Sequence, residues 1–336
     1  MRAIITGAAG QDGLILGQLL SENENEVTGI VTSDSQRNLI VSYNPKLEVK
    51  VMDSLDISDI ERLLIDFSPD YIFHLGAKSS VSDSWQKSKE TLEANIFVTL
   101  NWLNALKNLK LFDTRFYHAS SSEMFGLPDS YPQNEKTLLH PRSPYGVSKV
   151  AAHHLVVNYR ESYGQYASTG ILFNHESPLR STNFVTRKIT QGVAAISLGK
   201  IKSITLGNLE ISRDWGWAPD YCSGMIKILS HTEPDDFVLS SGVSHSLKDF
   251  LETAFAVVGI DNWQDFLTID KDLFRPADVV ALVGDSTKAR EILNWQTPTN
   301  FESLIKNMVE YDLKCQSDST TPIWKLKWAH LPSSTN

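Results

Sequence analysis

Residues 6–13 read TGAAGQDG. Gly7, Gly10 and Gly13 fall at GxxGxxG spacing. A short apolar run, residues 3–6, precedes them, and an amphipathic run, residues 14–20, follows. Glycines at a strand-to-helix turn permit a tight reversal. They also let the backbone approach a pyrophosphate, which then sits at the helix N-terminus. Gln11 and Asp12 lie inside the same loop. A plain tight turn would also carry glycines. What favours a dinucleotide loop is its place in the first strand–helix unit of the chain.

The pattern continues outward. Runs 27–31, 49–52, 71–75, 116–119 and 169–173 read as further strands, and 57–67, 91–107 and 145–163 as helices. Such alternation predicts an α/β fold: a Rossmann-like, doubly wound parallel sheet covered on both faces. Ligands on such sheets bind at the carboxyl ends of the strands. After residue 174 proline, tryptophan and glycine become frequent and the strands shorten. The expected division is a dinucleotide-binding domain over 1–174, a smaller, mostly helical substrate lobe over 175–315 whose segments interleave with the first, and a tail over 316–336.

Composition narrows the function classes. The chain has 336 residues and a formal net charge of −9. That balance argues against nucleic acid and acidic membrane surfaces as partners, while leaving room for a local basic pocket. The two cysteines, Cys222 and Cys315, are far apart and form no CxxC pair. Neither a disulfide framework nor a metal site is suggested, and a cytoplasmic setting is expected. The opening apolar run is too short for a signal core, and no run approaches the roughly 20 residues that span a bilayer.

The choice between NADP and NAD stays open. NAD-selective sites usually place an acid at the end of the second strand. Here that strand ends Val31-Thr32-Ser33, with no acid before Asp34, and Arg37 is in reach of a 2′-phosphate. NADP is favoured and NAD is allowed. Asp56 and Ile57, after the third strand, are adenine candidates; Asp56 also fits a helix cap.

Residues 145–149 read YGVSK. On a helix Tyr145 and Lys149 share a face. A neighbouring ammonium favours phenolate, so the tyrosine pKa is expected to fall towards working pH, which suits a general base for a sugar hydroxyl. Residues 118–126, HASSSEMFG, close the fifth strand with serines and one glutamate where ligands bind.

TGAAGQDG, ASSSE and SPYGVSK together resemble the extended short-chain dehydrogenase/reductase superfamily. LFNHESP (172–178), FVTRKIT (184–190), LGNLEISRDWG (206–216), DYCSGM (220–225) and RPADV (275–279) narrow the resemblance to GDP-mannose 4,6-dehydratases, over residues 2 to about 312. The resemblance implies an internal redox cycle: C4 of the sugar is oxidised by bound NADP, water leaves across C5 and C6, and hydride returns to C6. It implies that Ser121 stands for the family's active-site threonine and Glu123 for its glutamate. Tyr145 would accept the O4 proton and Lys149 would assist. Glu123 would remove the C5 proton and help protonate the departing hydroxyl. By the same resemblance Leu75, Gly76, Ala77, Ser79, His175 and Arg180 join Gly7, Gly10, Gln11, Asp12, Gly13, Tyr145 and Lys149 around the cofactor. Ser84, Ser122, Asn174, Val185, Lys188, Arg213, Arg275 and Asp278 surround the sugar nucleotide. A homodimer or homotetramer acting on a GDP-sugar is implied.

The chain departs from the family at several points. Thr32 and Ser33 stand where consecutive arginines are usual, Glu90 replaces a cofactor-lining tyrosine, Leu179-Arg180-Ser181 loses a basic residue, and Trp217 replaces a histidine. Three other readings stay in view. They are a GDP-4-keto-6-deoxymannose reductase, a dehydratase of another sugar nucleotide such as a GDP-heptose, and a non-catalytic nucleotide-binding regulator.

Overall fold

A computed structural model describes residues 1–273, 279 and 281–317. The strands in chain order are β1 (Arg2–Thr6), β2 (Glu26–Val31), β3 (Glu48–Val51), β4 (Tyr71–His74), β5 (Arg115–Ser121), β6 (Ala167–Leu172), β7 (Asn174–Glu176), β8 (Ile204–Leu206), β9 (Ser212–Trp217), β10 (Asp236–Leu239), β11 (Ser244–Ser246), β12 (Leu267–Ile269) and β13 (Ala281–Leu282). Seven of them form one parallel sheet in the order β3-β2-β1-β4-β5-β6-β10. The order reverses between β1 and β4, and that reversal opens a crevice at the carboxyl edge. The doubly wound sheet expected from the strand–helix alternation is present.

The helices are α1 (Gln11–Glu22), α2 (Asp34–Tyr43), α3 (Ile57–Phe67), α4 (Val81–Gln86), α5 (Ser88–Leu92), α6 (Val98–Asn108), α7 (Pro144–Tyr163), α8 (Val185–Ser197), α9 (Ala218–Ser230), α10 (Leu247–Val257), α11 (Thr287–Leu293) and α12 (Phe301–Ser317). One face of the large sheet packs Ile4, Ile72 and Phe116 against α3, α6 and α7. The other packs Ile5, Phe73 and Tyr117 against α1, α9 and α11. Successive strand residues are therefore buried on opposite faces, which is why these strands read as continuous apolar runs. A second core joins α8, α10 and α12 to β8 and β9. The chain recrosses between the two cores, since β10 adds to β6 of the first sheet.

Two local features differ from the sequence reading. Residues 91–107, expected as one helix, divide into the end of α5, a wider π-turn over Glu93–Phe97, and α6. Asn95 in that turn accepts from Lys78 N–H (2.8 Å) and donates to Lys78 O (3.1 Å) and Ser148 Oγ (2.8 Å). These tertiary bonds hold the turn open. Helix α2 was not anticipated; only Ile40 in it is buried, so it has no apolar stripe to read.

The second core depends on a buried ion pair. Arg187 of α8 pairs with Asp312 of α12 and donates to Thr190 Oγ1 (3.0 Å). Both charged side chains are almost fully enclosed. Removing one partner strands the other, at a typical cost of about 3–5 kcal/mol. An Asp312→Ala variant should lower the unfolding free energy by that amount, read as a lower urea midpoint at an unchanged denaturant slope. An unchanged midpoint would show that the pair does not hold α12 to α8.

Candidate active site

A cleft of about 440 Å³ lies at the carboxyl ends of β1, β4, β5 and β6. Its floor is the glycine loop. Gly7 has φ +66°, a conformation that favours glycine, and a Cβ there would fall 2.9 Å from Gly76 Cα. A Cβ on Gly13 would fall 2.6 Å from Ala8 Cα. Thr6 Oγ1 locks the two sides of the crevice together by accepting from Leu75 N–H (3.1 Å) and Gly76 N–H (3.0 Å). Gly10 caps α1 without a side-chain bond, so the first-turn amides are left for an anion. A loop with no room for side chains, ending on uncapped amides, fits the pyrophosphate of a dinucleotide.

Asp12 and His175 form the wall beside the glycine loop. His175 Nε2 bonds Asp12 Oδ2 at 3.0 Å, and its Nδ1 bonds Phe173 O at 2.7 Å. The imidazole stacks on Tyr221, with centroids 4.8 Å apart. Burial disfavours the charged imidazole, yet the Asp12 carboxylate outweighs it and holds His175 above the usual histidine range. Burial likewise works against the Asp12 carboxylate, and His175 reverses the balance to hold it below the usual range. Gln11 donates to His175 O (3.0 Å) and accepts from Ser177 Oγ (2.7 Å), tying the loop to the segment after β6.

A second wall is built by β5 and α7. Ser143 caps α7 by accepting from Gly146 N–H at 3.0 Å, with Pro144 at the first helical position. Tyr145 and Lys149 follow on one face, both buried. Lys149 Nζ donates to Ala119 O of β5 at 2.8 Å. Ser121 accepts from Glu123 N–H at 3.2 Å and lines the same cleft as the Tyr145 hydroxyl. Burial lowers the Lys149 ammonium to about 8. Burial raises the Tyr145 phenol to about 12, against the smaller lowering by Ser121. The expected fall of the tyrosine towards working pH is thus corrected. The ammonium sits 6.0 Å from the ring centroid and is aimed at a strand carbonyl, so desolvation governs the phenol.

The opposite wall carries charge. Arg180 lies over the Phe184 ring at 3.7 Å and pairs with Glu176 (3.4 Å), which also accepts from Thr186 Oγ1 (2.7 Å). Arg213 is buried and donates to Ser212 O (2.9 Å) and Val279 O (2.7 Å).

Of the residues singled out from sequence, Gly7, Gly10, Gln11, Asp12, Gly13, Leu75, Ala77, Ser79, Ser121, Ser122, Glu123, Tyr145, Lys149, Asn174, His175, Arg180, Val185 and Arg213 line the cleft. Gly76 supports it from below. Five others do not line it. Arg37 pairs with Asp34 at 3.1 Å. Asp56 caps α3, accepting from Ser58 N–H at 2.9 Å, and its neighbour Ile57 opens that helix. Ser84 is buried, its hydroxyl turned back to Val81 O (2.6 Å). Lys188 is exposed on α8. Arg275 and Asp278 lie outside the described residues. Gln36, Ser80, Val81, Ser82, Glu176, Thr186, Ile211 and Trp215 line the cleft and were missed. The run of four small polar or apolar residues, 79–82, was the available signal, because it follows β4 at the carboxyl edge.

Comparison with known proteins identifies the family. A family model described as GDP-mannose 4,6 dehydratase matches residues 4–308. GDP-mannose 4,6 dehydratase 1 of Arabidopsis thaliana is 42% identical over 325 residues, covering 93% of this chain and 90% of that protein. The GDP-mannose 4,6 dehydratase of Homo sapiens is 38% identical over 339 residues, covering 93% and 91%. Among solved structures, the UDP-glucose 4-epimerase of Thermotoga maritima with UDP-glucose gives a TM-score of 0.84 at 22% identity, covering 94% of this chain and all of that one. That last likeness concerns the fold alone. By motif, site and relatives, the chain belongs to the GDP-mannose 4,6 dehydratase family.

Proposed function

We propose that the chain dehydrates GDP-mannose to the 4-keto-6-deoxy sugar nucleotide, using a nicotinamide dinucleotide that is NADP, with NAD admitted. The observation that carries this reading is Glu123. It stands two residues beyond Ser121 in a cleft that already holds Tyr145 and Lys149. A plain oxidoreductase of this fold needs a tyrosine, a lysine and a hydroxyl; loss of water needs one more acid/base.

Bound at the glycine loop, the dinucleotide supplies the redox couple that takes electrons from C4 and returns them to C6. The chain supplies the proton transfers. Ser121 and Tyr145 together hold O4. A phenol at about 12 stays protonated at neutral pH, so Tyr145 passes its own proton inward as it accepts the one from O4. Lys149, at about 8, takes it up in its free-amine form, and with Nζ 6.0 Å from the Tyr145 ring centroid a bridging hydroxyl or water carries the proton between them. A carbonyl at C4 acidifies the proton on C5. Glu123 removes that proton and delivers it to the hydroxyl leaving C6, so the departing group is water, and the proton taken from O4 is given back at C5 as electrons return to C6. Asn174, Val185 and Arg213 face the sugar nucleotide, and the buried guanidinium gives an acidic chain a local site for a diphosphate. Residues 1–174 would carry the dinucleotide and 175–315 the sugar nucleotide, with β10 crossing back. We place the protein in the cytoplasm as a homodimer or homotetramer, a reading carried by the family resemblance.

A Glu123→Gln variant should still oxidise C4, seen as reduced-nicotinamide absorbance on adding GDP-mannose. Product formation should fall by about 10²–10⁴-fold, the usual worth of a general acid/base. Normal dehydration by this variant would remove Glu123 from the mechanism.

The lysine gives a pH signature. Below about pH 8 Lys149 carries a proton and cannot accept another; above it the amine is free. Initial rates should therefore rise through about pH 8, with the acid limb set by that group. A rate independent of pH across the window from 6 to roughly 9 would contradict the relay.

A further inference from the structure

The end of β2 ordinarily settles which nicotinamide dinucleotide such a sheet accepts. An acid there bonds the ribose hydroxyls and repels a 2′-phosphate, and an arginine does the reverse. Residues 32–37 are Thr-Ser-Asp-Ser-Gln-Arg. Both decisive residue types are present, but they are engaged with one another. Arg37 Nη2 lies 3.1 Å from Asp34 Oδ1, both side chains are exposed, and neither lines the cleft.

Of these six residues only Gln36 lines the cleft. Its amide is oriented by its neighbours. Thr32 N–H and Thr32 Oγ1 both donate to Gln36 Oε1, at 3.0 and 3.1 Å. A backbone N–H demands an acceptor, so the carbonyl end faces Thr32 and the Nε2 end keeps its two hydrogens for another partner. Ser33 is not available for that role, since its Oγ caps α2 at Gln36 N–H (3.4 Å) and bonds Ser35 Oγ (2.9 Å). Asp34 in the first turn of α2 offsets the positive end of that helix.

We propose that Gln36 reads the adenosine ribose and that this uncharged reader admits NAD and NADP with similar affinity. The proposal rests on the nicotinamide reading above and widens it. An amide N–H donates to a ribose hydroxyl oxygen or to a phosphate oxygen. The two bonds differ only as neutral and charge-assisted hydrogen bonds differ, which corresponds to roughly tenfold in affinity.

Calorimetric titration of the full chain with NAD+ and NADP+ tests this. The two dissociation constants should agree within about tenfold. Gln36→Glu should weaken NADP+ by about a hundredfold relative to NAD+, because it sets like charges side by side. Gln36→Arg should tip the ratio towards NADP+, and Arg37→Ala should leave it unchanged. A wild-type preference beyond about a hundredfold, a ratio indifferent to Gln36, or loss of NADP+ binding in Arg37→Ala would each overturn the selector alone. Failure of both nucleotides to bind would overturn the cofactor reading, and the selector with it.

Discussion

The seating of α7 on the end of β5 is the contact from which the site follows. A Cβ at Gly146 would lie 2.7 Å from Glu123 O, so only glycine lets the helix come this close. One turn on, Lys149 reaches Ala119 O at 2.8 Å and fixes the helix along the strand. Helix and strand are separated in sequence by the long 127–142 connection, yet they present Ser121, Glu123, Tyr145 and Lys149 as one unit. Positioning of this kind is what lowers a barrier when several proton transfers must be made in order.

Burial sets the electrostatics inside that unit. The same desolvation that lowers Lys149 raises Tyr145, so of the two groups Lys149 gives up its proton first as the pH rises. Across the cleft, charges are kept by pairing. Asp12 and His175 each shift the other towards the ionised form, and Glu176 is shared between Arg180 and Thr186. In a chain of net charge −9, Arg180 and the buried Arg213 thus place positive charge on the cleft wall.

The sheet was legible because its strands are buried on both faces and read as unbroken apolar runs. The glycine loop and the tyrosine–lysine spacing were legible because local geometry demands those residues. What was hidden depends on distant partners. Asp12 meets His175 across 163 residues, and the π-turn at Asn95 is held by Lys78 and Ser148. Arg37 looked free to reach a phosphate because its pairing with Asp34 three residues earlier needs α2, a helix with no apolar stripe to announce it. Ser84 looked available because a hydroxyl turned back on its own helix leaves no trace in sequence. The tyrosine was placed on the right face, but its acidity was misjudged, because burial is a tertiary property.

The central claim is dehydration by an internal redox cycle. The direct test is to incubate the protein with GDP-mannose and less than one equivalent of cofactor, and to follow the sugar by NMR. The account predicts a 4-keto-6-deoxy product in excess of the cofactor supplied, with no net reduced nicotinamide at the end. Turnover that stops at the cofactor supply, with reduced or oxidised nicotinamide accumulating in proportion, would contradict it.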